Sequence, residues 1–159
     1  MTISEKVTRL REENPGWRID HVEGRPVPWL AVRESRQGWI GGHSAVEAKL
    51  PGYLGRLMAQ AIDLAALASG KEAFPYVERM EHLTSLRKWF PEWAFEACNT
   101  QPVWHGQRSY ADYADYADYA ERAAAITEVR GNDPKELALL LLRLPRVEAG
   151  VGEGREGER

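Results

Sequence analysis

The chain has 159 residues, 43% of them hydrophobic and 28% charged, with a formal net charge of −3. That length suits one medium domain or two small ones, and the composition is that of an ordinary globular protein. The near-neutral balance excludes a global basic field for gathering nucleic acid or anionic lipid. Cys98 is the single cysteine, which excludes an intramolecular disulfide and argues against a cysteine-based metal site.

The opening MTISEKVTRLREE is polar and lacks the apolar core of a signal peptide, so a cytoplasmic location is expected. Ile3, Val7 and Leu10 recur at helical spacing and predict a first helix, which Asn14-Pro15-Gly16 ends. Trp17 to Val22 then reads as a strand by period-two alternation. Glu23 to Pro26 turns the chain, and Val27 to Arg33 gives a second strand. Gln37 to Gly41 reads as a third. Ser44-Ala45-Val46-Glu47 has the form of a capping box, so a helix is expected to begin there. Pro51-Gly52 interrupts it. Tyr53 to Ala68 follows as one longer amphipathic helix, ending at Ser69-Gly70. It carries Arg56, Gln60 and Asp63, so no membrane span is expected.

The second half repeats the first. Residues 8–17, TRLREENPGW, and 84–93, TSLRKWFPEW, both fit T-x-L-R-x-x-x-P-x-W at an offset of 76. Trp29 to Arg33 and Trp104 to Arg108 share W-x-[AG]-x-R at an offset of 75. GHSAVEAKL (42–50) then answers GNDPKELAL (131–139) at an offset of 89, which predicts 14 additional residues in the second copy. The elements recur accordingly. Tyr76, Val77, Met80, Leu83 and Leu86 make a helical stripe ending at Pro91. Strands are expected over Trp93 to Cys98, Val103 to Arg108 and Ala125 to Arg130. Asp133-Pro134-Lys135-Glu136 caps a last, almost wholly apolar helix over 135–144. The expected fold is α+β: tandem duplicated α-β-β-β-α units packed as one pseudo-symmetric domain with a bridging helix. The units span 1–52 and 71–145, with 53–70 as the bridge. The tail 146–159, rich in Gly, Glu and Arg, is expected to be disordered. The Tyr-Ala-Asp repeats at about 109–122 fall within the predicted insertion. A period of three keeps Tyr110, Tyr113, Tyr116 and Tyr119 off any single helical face, so a tolerated insertion is expected.

Among candidate functional residues, Trp17, Trp29, Trp93 and Trp104 stand at equivalent repeat positions, as do Arg33 and Arg108. These are expected to be structural, with aromatic burial anchoring a small sheet and arginine laid over tryptophan. Trp39 and Trp89 have no counterpart and are the better contact-surface candidates. His21, His43, His82 and His105 lie outside any metal-ligand spacing, and GWIGGHS (38–44) is a weak phosphate-loop candidate. No metal, cofactor or catalytic residue is expected. The pattern L-R-x-x-x-P-x-W…W-x-[AG]-x-R, with its E-L-type helix ending, resembles small uncharacterised actinobacterial or actinophage proteins. That resemblance implies a regulatory or mobile-element setting and transfers no activity. The α-β-β-β-α order is similar to that of a double-stranded RNA-binding domain by topology, but only Lys49 and Lys135 stand where that family clusters lysines. The reading is a non-enzymatic interaction or regulatory module with an unknown protein partner. The alternative is nucleic-acid binding through the N-terminal half, with Arg9, Arg11, Arg18, Arg25 and Arg36 on phosphates. A third reading is an enzyme with a site between the units, built around His43 or His105.

Overall fold

The computed structural model describes residues 1–70, 82–108 and 124–145. The Tyr-Ala-Asp repeats, the stripe from Tyr76 to Met80 and the tail 146–159 lie outside the described residues.

Helix α1 (Ile3–Glu13) starts at a capping box, in which Thr2 Oγ1 accepts from the Glu5 amide and Glu5 reaches back to the Thr2 amide. Asn14 ends it, its amide and side chain both donating to the Leu10 carbonyl. Strands β1 (Trp17–His21), β2 (Trp29–Arg33) and β3 (Gly42–Ala48) follow. Helices α2 (Pro51–Gln60) and α3 (Leu64–Gly70) come next, then α4 (Leu83–Trp89). Strands β4 (Ala94–Ala97), β5 (Trp104–Gln107) and β6 (Ala124–Gly131) precede α5 (Pro134–Leu142). The six strands form one antiparallel sheet in the order β1-β2-β3-β6-β5-β4, with β3 and β6 paired at its centre.

The helices share one face of this sheet. Leu10 of α1, Leu54, Leu57 and Met58 of α2, Leu64 of α3, Leu86 of α4 and Leu137, Leu140 and Leu141 of α5 join a single core. That core also takes Trp17, Ile19, Trp29, Ala31, Val46 and Ile126 from the strands. Burying large apolar side chains from both layers supplies most of the driving force for folding. The last helix buries Leu137, Ala138, Leu140 and Leu141 but leaves Leu142 exposed, so it lies on the sheet rather than between layers.

Four expectations change. Gln37 to Gly41 is not a strand, because the Trp39 amide closes a turn on Arg36 and Gly38 and Gly41 take positive φ. The helix marked at Ser44 is instead β3. His43 to Ala48 pairs on both edges, with β2 and with β6, and a helix there would leave both neighbours' hydrogen bonds unmade. The first-half helix begins seven residues later, with Pro51 in its first turn. The single bridging helix is broken in two. Between α2 and α3, the His43 amide donates to the Ile62 carbonyl, the Leu64 amide donates to Gly41, and Asp63 bridges Gly42. Finally, the connections differ by eight residues, not 14: residues 34–41 join β2 to β3, and 108–123 join β5 to β6. Matching Gly42 to Gly131 had aligned the start of one central strand with the end of the other.

The expected cap of the last helix is present. Asp133 Oδ1 accepts from the Glu136 amide, and Pro134 sits in the first turn. Glu136 reaches the Asn132 amide at 2.6 Å rather than that of Asp133.

Candidate binding site on the sheet face opposite the described helices

Two irregularities at the sheet centre shape the other face. In the β3–β6 pairing, His43 faces Val129, Ala45 faces Glu128 and Val46 faces Ile126, so Ser44 and Thr127 are each left without a direct partner. Such bulges re-aim side chains. On one side of them Val46 and Ile126 point into the core, and on the other His43 and Val129 do. Ala45 and Glu128 are thereby turned to the face that carries no helix among the described residues.

Glu128 is the hub of that face. Its Oε1 accepts from Ser44 Oγ at 2.8 Å and Arg130 Nε at 3.1 Å. Its Oε2 accepts from Gln107 Nε2 at 3.0 Å and meets His105 Nδ1 at 3.4 Å. Burial pushes its carboxyl up, but the bonds from Gln107 and Ser44 and the Arg130 charge outweigh this and hold it below the usual carboxylate range. His105 Nε2 lies 3.5 Å from exposed Glu96. Ser44 therefore spends its hydroxyl proton on Glu128 and has no histidine base, so this is a saturated polar network rather than a nucleophile and its base.

Beside the hub lies a cavity of about 710 Å³, lined among others by Val32, Ala45, Glu47, Trp93, Glu128 and Arg130. Its size falls in the usual range for ligand sites. Glu47 Oε2 and Nε1 of Trp93, which packs in the hydrophobic core, are fully buried and have no hydrogen-bond partner among the described residues. Buried groups of this kind are uncommon, because each costs about 1–3 kcal/mol when left unsatisfied.

The sequence-marked residues fall in several places. Trp17 and Arg33 are cross-strand partners, and the Arg33 guanidinium lies 4.6 Å from the Trp17 ring centroid. Arg108 lies 4.9 Å from the Trp93 ring. Each arginine Nε also reaches a central-strand carbonyl: Arg33 that of His43 at 3.5 Å, and Arg108 that of Ile126 at 3.2 Å. Burial draws the Arg33 guanidinium down from its ordinary value, with Asp63 opposing and Arg36 adding to the effect. Trp29 is buried against the His21 ring, and Trp104 is half-buried on the core edge. Trp89 is 60% exposed at the end of α4. Trp39 is half-buried, with an unpartnered Nε1, and lines a small cavity with Arg36 and Asp63.

Of the five candidate phosphate-contact arginines, Arg36 is exposed and the other four lie beside acidic side chains. Arg9 pairs with Glu13 at 2.8 Å, and Arg25 pairs with Glu47 at 2.8 Å. Arg11 and Arg18 both lie 3.7 Å from Asp20. The GWIGGHS segment leads into a strand, so no helix N-terminus stands behind it for a phosphate. Among the described residues no group of three or more His, Cys, Asp or Glu could hold a metal ion. No described helix is long and apolar enough to cross a membrane.

His43 is fully buried on the helix side, far from the open face. Its Nδ1 accepts from the Ile62 amide at 3.1 Å, and its Nε2 meets the Leu140 carbonyl at 3.0 Å. These partners require the neutral ring protonated at Nε2. Burial lowers its pKa to about 4, with the Leu140 bond opposing and the Arg33 charge assisting. Sequence reasoning missed both Glu128 and Glu47. Their only signal is an acidic residue inside an otherwise strand-like run. The fold defines an α+β protein with one six-stranded antiparallel sheet and five helices among the described residues. No family model, curated protein or solved structure matches the chain.

Proposed function

We propose that the chain is a non-enzymatic interaction module, made of two α-β-β-β-α units, that receives a protein partner on the sheet face opposite the described helices. The observation that carries the reading is the cavity on that face, lined by Val32, Ala45 and Glu47 beside the saturated Glu128 network. A concave site of this size suits recognition. A carboxylate with every donor already in place suits structure more than proton transfer.

The duplication is supported by the strand order running outward in the same sequence from the β3–β6 seam. The two tryptophan–arginine stacks and the two proline-initiated helices after the central strands support it too. The phosphate-led alternative is less well supported, because Arg9, Arg11, Arg18 and Arg25 each lie beside an acidic side chain. A bacterial or phage setting remains part of the proposal, on the sequence pattern alone.

The test is comparative capture of a partner from a bacterial lysate by the immobilised full chain. Ala45→Arg fills the cavity that Ala45 lines. Ala59→Arg alters the exposed side of α2 and serves as control. The reading expects Ala45→Arg to lose the bound protein and Ala59→Arg to keep it. Retention by Ala45→Arg would sink it.

A further inference from the structure

We propose that the His43 ring is an acid-sensitive latch for α3: a second proton on its Nδ1 releases the 61–64 connection and α3 as one unit, while the sheet and α5 stay folded. A small clip of hydrogen bonds holds that connection to the start of β3. The His43 amide donates to the Ile62 carbonyl at 2.8 Å, the Ile62 amide donates back to His43 Nδ1 at 3.1 Å, and the Leu64 amide donates to the Gly41 carbonyl at 2.9 Å. Gly42 has no Cβ to keep the Ile62 carbonyl away. Beyond the clip, α3 has little to hold it. Of its described side chains only Leu64 is buried; Leu67 is half-buried, and Ala65 and Ala66 face solvent. By contrast α2 is fixed in the core by Leu54, Leu57 and Met58, so it is not carried along.

The two sides of the ring respond to a proton in opposite ways. Nε2 already donates to the Leu140 carbonyl on α5, and a positive ring strengthens that bond. Nδ1 is an acceptor, so a proton there sets a donor against the Ile62 N–H, and the clip loses the bond that ties the connection to the side chain. The surroundings do not stabilise the charge. Arg33 on β2 repels it. Asp63, in the connection, turns Oδ1 to the Ala65 amide, and its charge acts on Arg33. From β6 the residue meets Val129, and from α5 the Leu140 carbonyl. Burial in this setting holds the closed ring neutral, with a pKa of about 4 against an ordinary 6.5. Opening returns water to Nδ1 and moves the ring back toward its ordinary value, so acid favours the open form.

The test is native-state hydrogen exchange of the full chain, read by NMR between the ordinary and the folded pKa of His43. Urea is held at several concentrations below the unfolding transition, and rates are divided by the intrinsic exchange rate at each pH. The proposal expects the Ile62 and Leu64 amides to open roughly tenfold more often for each pH unit of acidification. That opening should depend little on urea, because it exposes little surface. The Val46 and Ile126 amides, in the central strands, should exchange more slowly and with the full urea dependence of global unfolding. His43→Gln keeps an acceptor for Ile62 and a donor for Leu140 but cannot titrate, so it should flatten the pH dependence at Ile62 and Leu64. A urea dependence at Ile62 and Leu64 equal to that at Val46 would make the release global and overturn the proposal. So would wild-type opening that does not change with pH, or a pH dependence that survives in His43→Gln. Should that variant fail to fold, the urea and pH dependences of the wild type decide alone.

Discussion

Protonating His43 should unlock the centre of the molecule. This ring ties three elements together: it sits on β3, accepts from Ile62 between α2 and α3, and meets Leu140 on α5. A second proton on Nδ1 would face the Ile62 N–H donor, and the charge would sit fully buried near Arg33. The folded value of about 4 lies below an unfolded value near 6.5. The unfolded chain therefore takes up the proton first as the pH falls, and stability present above pH 6.5 is lost on the way to pH 4. The loss is about 2 kcal/mol at pH 5 and about 3 kcal/mol at pH 4. Urea unfolding of the wild type and of His43→Gln, followed by tryptophan fluorescence from pH 7 to pH 4, reads it directly. The variant should be less stable at pH 7, and the gap between the two should narrow by about 2 kcal/mol at pH 5. A constant gap across that range would refute the assignment of a neutral, buried His43.

The other predictions concern the sheet and its loops. Glu128→Gln should cost about 2 kcal/mol at neutral pH, because several donors converge on that charge. The depressed Glu128 pKa places its stabilisation above the ordinary carboxylate range, lost as the pH falls through the folded value. The variant's denaturation midpoint should accordingly vary less with pH in acid. Gly42→Ala should lose more than about 2 kcal/mol by thermal or urea unfolding, since Gly42 has φ +154 and an added Cβ would collide with the Ile62 carbonyl. Shortening the connection 108–123 to the length of 34–41 should change stability by only about 0.6 kcal/mol. A loss of more than about 2 kcal/mol would show that this connection packs on the core.

Much of the architecture was legible because each outer element carries its own local signal. Trp17 and Ile19 alternate with Arg18 and Asp20, and the structure buries the first pair and leaves the second pair facing solvent. Asn14-Pro15-Gly16 and Asp133-Pro134 mark helix ends by backbone chemistry that needs no tertiary context. The centre was misread for the opposite reason. Ser44-Ala45-Val46-Glu47 has local capping-box chemistry, but pairing with β2 and β6 on both edges outweighs it. The break in the bridging helix depends on His43, Gly41 and Gly42, residues distant in sequence from Ile62. The candidate site was hidden for the same reason. Glu47 and Trp93 come from different halves, and only the sheet brings both to one cavity. The Glu128 hub exists because bulges at Ser44 and Thr127 turn it outward, which no period-two reading foresees.

The most direct test of partner binding on the open face is carboxyl footprinting of the chain, free and in complex with its captured partner, using carbodiimide and an amine label. The account predicts that labelling of Glu92 and Glu96 falls in the complex while Glu12 and Glu13 on α1 label as before. Protection of Glu12 and Glu13 with Glu92 and Glu96 unchanged would place the partner on the helical layer and contradict it.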